Sequence, residues 1–238
     1  TVKNHTYRMA RRARKEGLFV IDDPDSIIKC SNKIFLEELL DRLNIKRPKS
    51  MIVTKENLKK SLPDSYPCVL KRPDSAFSLG VFKAKDEKEY FEKAMILLED
   101  SDLILVQEFL STDFDWRVGV LDGEVLFVCR YYMAKGHWQI INNNTKKESM
   151  QYGEADCIDV KMAPKKVIQT AIKATKHIGN GLYGVDLKQV GETIYVIEVN
   201  DNPNIDAGVE DRIDGEYLYY KIAKYLLNGC HKKRNIHV

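Results

Sequence analysis

The sequence predicts an α+β fold, because helical apolar repeats and antiparallel hairpins both occur along the chain. Apolar side chains recur at helical spacing in four stretches, at residues 31–43, 86–99, 164–178 and 215–227. Runs rich in Val, Ile, Leu and Tyr, separated by short turns, predict one hairpin over residues 115–132 and another over residues 183–200. Helices that accompany hairpins, rather than alternating with single strands, are typical of the α+β class.

The remaining elements are short and follow from local residue preferences. The basic stretch at residues 1–16 predicts a solvated helix that ends at Gly17 and precedes a strand at 18–21, with a nucleic-acid contact as the alternative. The segment 22–25 predicts a turn, after which Ser31 is suited to cap the next helix. Four further strands are expected, at 51–54, 66–71, 81–84 and 103–107, together with a short helix at 55–60.

Composition places the chain among ordinary globular proteins. The 238 residues are 44% hydrophobic and 31% charged, and the net charge of +3 is too small to indicate nucleic-acid binding. The chain contains neither an apolar run of membrane-spanning length nor a signal-peptide pattern, so we expect a cytoplasmic protein without a membrane partner. The cysteines are scattered without a CxxC pair, which argues against a disulfide framework or a zinc site and predicts free thiols at Cys30, Cys68, Cys129, Cys157 and Cys230.

The hairpin at 183–200 carries acidic and amide side chains in register. Because side chains alternate along a strand, each strand presents one shared face, formed by Gly184, Asp186 and Lys188 on the first and by Val196, Glu198 and Asn200 on the second. A three-residue turn would place Asp186 directly opposite Glu198. Two such carboxylates repel each other unless a cation lies between them, and an all-oxygen set suits Mg²⁺. The alternative is a polar face that meets water.

Four basic residues stand where an anion could be bound. Lys33 lies in the first turn of a helix and opposes the helix dipole, so it is either a surface residue or close to an anion. Lys71 ends a strand before the loop 72–80, whose N–H groups could hold a phosphate with it. Arg117 and Arg130 lie on hairpin strands, where they either face water or clamp anions.

Taken together and in this order, these residues resemble the ATP-grasp superfamily, and within it the RimK-type carboxylate-amine ligases. The most specific part is VIEVNDNPNIDAGVED at 196–211, where an E-x-N-x-N-P pattern follows a G-x-D strand. The resemblance implies an ATP-grasp fold of two α+β subdomains that clamp a nucleotide, with a lid part at 30–110 and a metal-binding core at 111–238. Residues 1–29 are then expected to be a junction or the remnant of an upstream domain.

The resemblance also implies a role for each matching side chain. The metal ions, Mg²⁺ or Mn²⁺, would be held by Asp186, Glu198 and Asn200. Arg117 and Arg130 would face the transferred phosphoryl group or the substrate carboxylate, and Asn202 would line the substrate side. Lys33 and Lys71 would bind the phosphates of ATP, and Asp115 would bind the ribose. Glu108 and Phe109 would meet adenine through their backbone, with Gln107 adjacent. Gln139 and Asn142 would also contact ATP, at the positions where relatives carry an Arg-x-Asn pair. The family loop after Lys71 is usually glycine-rich, whereas this one contains only Gly80.

The activity implied by the resemblance is an ATP- and Mg²⁺-dependent ligase that converts a carboxylate to an acyl phosphate and then forms an amide. The expected partners are an amino acid or a peptide or protein carboxylate, together with an amine. The oligomeric state stays open. Two alternatives are an ATP-grasp kinase that phosphorylates a hydroxyl group and a nucleotide-binding module without chemistry.

Overall fold

The computed structural model describes residues 4–74, 80–147 and 150–234. Within these ranges the helices are α1 (Asn4–Lys15), α2 (Pro24–Ser31), α3 (Lys33–Arg42), α4 (Glu87–Glu99), α5 (Lys165–Thr175) and α6 (Glu216–Arg234). The strands are β1 (Ser50–Thr54), β2 (Cys68–Lys71), β3 (Val81–Ala84), β4 (Leu103–Glu108), β5 (Phe114–Leu121), β6 (Glu124–Tyr132), β7 (Ala155–Ile158), β8 (Leu182–Val190) and β9 (Thr193–Asp201).

The first four strands form an antiparallel sheet in the order β1-β4-β2-β3. Helix α4 packs against one face of this sheet, where Tyr90, Leu70 and Ile104 belong to one buried apolar cluster. Because side chains alternate along β2 and β4, Lys71 and Gln107 lie on the opposite face. One face of this sheet is therefore apolar and packs against α4, and the other face carries the polar side chains of Lys71 and Gln107.

The other strands form a second antiparallel sheet in the order β7-β6-β5-β8-β9. Helix α5 covers one face, with Val167 and Ala171 fully buried against Val118 and Val185. Burying each such apolar side chain contributes about 1.5–3 kcal/mol before entropy costs. The opposite face of β5 and β8 is left to carry polar side chains.

Helix α3 joins the core of the five-stranded sheet. Leu36, Leu39 and Leu40 are all buried in the same cluster as the β5, β8 and β9 side chains, although the sequence analysis grouped them with the lid part at 30–110. The division of the chain at residue 110 stays a prediction. Because α3 packs against the five-stranded sheet, its first residue, Lys33, is held in place relative to that sheet.

The α+β class and both hairpins are confirmed, while several local predictions are wrong. Asp23 and Pro24 do not form an isolated turn but begin α2, since the Asp23 side chain accepts the N–H groups of Asp25 and Ser26. Asn32, not Ser31, caps α3. Residues 18–21 are not a strand, residues 55–60 are turns, and the short edge strand β7 was not anticipated.

The expectation of free thiols is wrong for two of the five cysteines. Cys129 on β6 and Cys157 on β7 are direct cross-strand partners and form a disulfide. Spacing along the sequence does not reveal this pair, because the unexpected strand β7 brings it together. Cys30 and Cys68 are free and buried, and Cys230 is free and exposed.

Across the described ranges, none of the helices has the length and apolar character needed to cross a membrane. The cytoplasmic location stays a prediction.

Candidate active site

The centre of the candidate site is the polar face of the β8–β9 hairpin. Asp186 pairs directly with Glu198, and Asn200 lies opposite Gly184 one step further along. The Asn200 Nδ2 donates a hydrogen bond of 3.1 Å to Asp186 Oδ2. The three side chains expected to bind metal are therefore brought together on one side of the sheet.

A β-bulge produces this register. The hairpin turn has two residues, since Val190 pairs with Thr193, and the register shifts by one between Asp186 and Leu187. The extra residue restores the Asp186–Glu198 pairing that a three-residue turn would have given. It also turns Val196 into the apolar core, so the expectation that Val196 shares the face of Glu198 is wrong.

Each carboxylate at the centre is paired with a cation. Lys33 Nζ lies 3.0 Å from Glu198 Oε1, and both side chains are largely buried. The guanidinium of Arg117 donates two hydrogen bonds to Asp186, one from Nε to Oδ1 and one of 3.1 Å from Nη2 to Oδ2. A bidentate pair of this kind fixes both orientation and charge.

A third ion pair extends the same face along β5 and β8. Lys188 Nζ donates to Asp115 Oδ1 at 2.5 Å and to Thr112 Oγ1 at 2.7 Å. Lys188 was not assigned a role from the sequence, although its place two residues after Asp186 put it on the correct strand face. Three cations and three carboxylates thus share this surface.

Burial shifts the pKa values of two groups at this centre. Burial raises the pKa of Asp186 to about 6, with the neighbouring Glu198 adding to the shift and Arg117 opposing it. Burial also lowers the pKa of Lys71 to about 8, an effect that Lys33 and Lys188 strengthen and Glu198 opposes. Both shifts show charged groups held close together away from water, as is common at functional sites.

A cleft between the two sheets contains most of the expected nucleotide-binding residues. The four-stranded sheet contributes Val69, Lys71, Val81 and Gln107, and the five-stranded sheet contributes Asp115, Asp186, Lys188 and Glu198. Lys33, Glu108, Phe109 and Gln139 also line it, as do Pro48, Leu110, Trp138, Ile140 and Ile197. Phe109 and Trp138 meet edge to face with their ring centroids 5.9 Å apart.

The segment after β4 differs from the expectation in one detail. The N–H of Glu108 donates to the Lys49 carbonyl at 2.9 Å, and the Glu108 carboxylate accepts the Lys49 N–H at 2.8 Å. The Glu108 N–H is therefore already hydrogen-bonded to Lys49, the residue before β1. Within the described parts of the chain, the backbone N–H groups of Phe109 and Leu110 donate to no other group. Leu110 therefore joins Phe109 as a hinge residue whose N–H could bind a nucleobase.

Arg130 does not reach the cleft, which corrects its expected place beside Arg117. Arg117 pairs with Cys129 across the β5–β6 ladder, so Arg130 pairs with Trp116 and points to the opposite face of the sheet. There its guanidinium donates to Asp156 at 2.6 and 2.8 Å. Arg117 and Arg130 would lie on the same face only if they were cross-strand partners or an even number of residues away from that pairing.

The lining of the cleft does not include Asn142 or Asn202, and Arg117 and Asn200, which contact Asp186, lie beside the lining rather than in it. Asn142 is held within its own loop, where its N–H donates to the Gln151 carbonyl and its Oδ1 accepts the Asn144 N–H. Asn202 follows β9 in a left-handed backbone conformation, and its N–H donates to Asp22 Oδ2 at 2.6 Å. The expected phosphate grip of the loop after Lys71 falls on residues 75–79, outside the described residues.

The donor set fits a hard cation. Asp186 and Glu198 face each other and Asn200 adds an amide group, while burial, and to a smaller extent the nearby Glu198 carboxylate, raises the pKa of Asp186. In the part of the chain that the structure describes, no cluster of three His, Cys, Asp or Glu side chains is arranged to hold a metal. A cation here would therefore need further ligands from its bound anion, as Mg²⁺ does with phosphates.

Comparison with known proteins agrees with this geometry. The sequence signature of the RimK-like ATP-grasp domain matches residues 30–225. The chain is 26% identical to the α-aminoadipate–LysW ligase LysX of Sulfurisphaera tokodaii over 218 residues, covering 87% of this chain and 72% of that protein. It is 28% identical to the tetrahydromethanopterin:α-L-glutamate ligase of Methanocaldococcus jannaschii over 193 residues, covering 78% of this chain and 62% of that protein.

Solved structures share the fold at lower sequence identity. The D-alanine–D-alanine ligase of Bacillus anthracis superimposes with a TM-score of 0.69 at 17% identity, covering 91% of this chain and 72% of that one. The ATP-grasp ligase PsnB, complexed with a minimal precursor, gives a TM-score of 0.69 at 18% identity, covering 95% and 69%. The ATP-grasp fold expected from the motifs is thereby confirmed. The chain belongs to the RimK-like ATP-grasp family and is an ATP-dependent carboxylate-amine ligase.

Proposed function

We propose that this protein binds ATP with Mg²⁺ in the cleft between its two sheets, activates a carboxylate as an acyl phosphate, and joins it to an amine of an amino-acid-like substrate. The observation that carries the proposal is the facing pair Asp186 and Glu198, each paired with a cation, in the lining of a cleft that also contains Lys71.

The nucleotide is assigned to this cleft by the chemistry of its lining. Lys71 and Lys33 supply positive charge for the phosphates, and Asp115 supplies a carboxylate for the ribose hydroxyl groups. The N–H groups of Phe109 and Leu110 are available at the end of β4 for an adenine ring nitrogen. When ATP and the metal bind, the Lys33–Glu198 and Arg117–Asp186 ion pairs separate. Lys33 and Arg117 then bind phosphate oxygens, and Glu198 and Asp186 bind the metal.

Asp186, Glu198 and Asn200 would hold the metal ions. When bound, Mg²⁺ neutralises phosphate charge and so lowers the barrier to attack by an anion. Arg117 is the arginine we assign to the transferred phosphoryl group, because it lies on the same face as Asp186, whereas Arg130 does not.

The reaction has two steps that balance without any further reagent. A carboxylate oxygen of the substrate attacks the γ-phosphorus, the bond to the β–γ bridging oxygen breaks, and ADP leaves. The amine then attacks the acyl carbon, inorganic phosphate leaves, and the amine nitrogen loses a proton. Because both first-step reactants are anions, the lysines and Arg117 contribute by stabilising charge in a site that excludes water.

The substrate class is proposed from the names of relatives. LysX is named for α-aminoadipate, and the Methanocaldococcus jannaschii protein is named for α-L-glutamate. We therefore propose that an α-amino acid is one of the two substrates. Manganese is expected to replace magnesium, since it accepts the same oxygen ligands.

Hydroxylamine trapping tests the proposal directly. A panel of amino acids and peptides is incubated with ATP, Mg²⁺ and hydroxylamine, and acyl hydroxamate is measured together with ADP. Hydroxamate formation with the correct acid is expected, and it is expected to fall at least 100-fold in the Asp186→Ala and Glu198→Ala variants. Glu192→Ala is the matched control, because Glu192 is an exposed carboxylate at the turn of the same hairpin.

Full ATP turnover by either of the two site variants would refute the metal assignment. A stable phosphate ester formed without any amine acceptor would instead identify a kinase. Tight ATP binding without turnover across the whole panel would identify a binding module.

A further inference from the structure

A buried carboxylate lies behind the nucleotide cleft and contacts one of its lining residues. Glu37, on α3, is only 9% exposed. Its Oε1 accepts a hydrogen bond of 2.6 Å from Nε2 of Gln107. Its Oε2 accepts one of 2.5 Å from Ser50 Oγ and lies 2.8 Å from a guanidinium nitrogen of Arg47. Both carboxylate oxygens are therefore engaged, and one of them holds the amide of Gln107.

This contact determines which way the Gln107 amide points. An ionised carboxylate can only accept hydrogen bonds, so the Gln107 NH₂ group must face Glu37. Arg47 at 2.8 Å favours the ionised form of Glu37 against the effect of burial, which raises the pKa of that carboxyl group. The Gln107 carbonyl oxygen is then directed away from Glu37. Within the described residues that oxygen accepts no hydrogen bond, and Gln107 lines the cleft.

The position of Gln107 makes its free oxygen relevant to a nucleobase. Gln107 directly precedes the hinge residues Glu108, Phe109 and Leu110, which line the same cleft. A carbonyl oxygen beside the base attracts an amino group and repels another carbonyl oxygen. Adenine carries an amino group at C6, whereas guanine and hypoxanthine carry a carbonyl there.

We propose that Glu37 is a positioning residue for nucleobase selection: it holds the Gln107 amide with its oxygen toward the cleft and thereby favours a 6-amino purine over a 6-oxo purine. Glu37 itself does not touch the nucleotide. The inference rests on the proposed function, since it requires the base to lie at the hinge. When a 6-oxo purine binds, its carbonyl oxygen meets the Gln107 carbonyl oxygen, and neither acceptor finds a donor. We expect this to lower the affinity for a 6-oxo purine nucleotide by about 10- to 100-fold relative to ATP.

Binding of ATP and of ITP tests the inference, because the two nucleotides differ only at positions 6 and 1 of the purine. Dissociation constants are measured by isothermal titration calorimetry with Mg²⁺, without any need to know the acid or the amine. The wild-type protein is expected to bind ATP about 10- to 100-fold more tightly than ITP. In Glu37→Gln, residue 37 offers both a donor and an acceptor, so the Gln107 amide can turn over, and the ratio is expected to fall by about tenfold.

Ser50→Ala is the matched control. It removes another donor to Glu37 but leaves the carboxylate facing Gln107, so the ATP-to-ITP ratio is expected to match the wild type. Gln107→Met is a second variant that needs no change at Glu37, and it is expected to remove most of the preference. Circular dichroism and thermal unfolding establish that each variant is folded.

The outcomes separate this inference from the proposed function. Equal binding of ATP and ITP by the wild-type protein, or an unchanged ratio in either Glu37→Gln or Gln107→Met, would overturn the role of Glu37 while leaving the ligase intact. Failure of the wild-type protein to bind either nucleotide would overturn the proposed function, and this inference with it.

Discussion

Lys71 makes the affinity for ATP depend on pH in a range where most lysines do not titrate. This residue ends β2 and lines the cleft, where burial lowers its pKa to about 8 with help from Lys33 and Lys188. An ordinary lysine titrates near pH 10.4. The structure therefore predicts that the ammonium group assigned to the phosphates loses its proton between pH 7 and pH 9.

The size and sign of the effect follow from this pKa. Raising the pH from 7 to 9 takes Lys71 from roughly nine-tenths to roughly one-tenth protonated. If the triphosphate binds the protonated form, its apparent affinity falls by about tenfold over this range. Bound phosphate favours the ammonium form and raises the pKa of Lys71, so ATP binding takes up a proton above pH 8 and weakens as the pH rises.

Calorimetric titration of ATP and Mg²⁺ at several values between pH 7 and pH 9 measures this effect. Repeating the titrations in two buffers of different ionisation enthalpy reports the proton uptake itself. Lys71→Arg is the matched variant, because an arginine stays charged throughout this range and is expected to give a nearly flat profile. A flat profile in the wild-type protein, or an equally steep one in Lys71→Arg, would refute the reasoning.

Three further predictions concern packing and charge around the site. In Gly184→Ala the new Cβ would lie 2.7 Å from Cβ of Pro203. We expect the free energy of unfolding, measured in urea, to fall by about 1–3 kcal/mol and the KM for ATP to rise. An unchanged KM for ATP would contradict this prediction. Burial raises the pKa of Asp22 to about 6, so its contribution to stability is present below about pH 4 and is lost as the pH rises through 6. Asp22→Asn should remove about 2 kcal/mol of that pH dependence between pH 4.5 and pH 7, measured as the difference from wild type in the free energy of unfolding at the two pH values. Arg130→Gln is expected to keep ATP turnover within about twofold, whereas Arg117→Gln should lose at least 100-fold; equal losses would show that the face assignment is wrong.

The sequence was sufficient for the parts of the site that follow from local periodicity. Alternation along two strands predicted that Asp186, Glu198 and Asn200 share a face, and the structure brings them together. The same rule failed at Val196, because a bulge inserts one residue, and bulges depend on how two strands fit rather than on either strand alone.

Other features required knowledge of which strands pair, and in what register. Arg117 and Arg130 looked equivalent along the chain, yet the β5–β6 register places them on opposite faces. Cys129 and Cys157 meet only because β7 pairs with β6. The bond between Glu37 and Gln107 joins residues 70 positions apart, so local periodicity does not indicate it.

By itself, the sequence determined the α+β class and the family to which the chain belongs, and it predicted which side chains would bind metal and phosphate, because these depend on short-range periodicity and contiguous motifs. Only the tertiary structure decided which cation pairs with which carboxylate, which arginine shares a strand face with Asp186 and what holds the Gln107 amide. Those outcomes depend on strand register and on contacts between distant segments, where a shift of a single residue moves a side chain to the other face of the sheet.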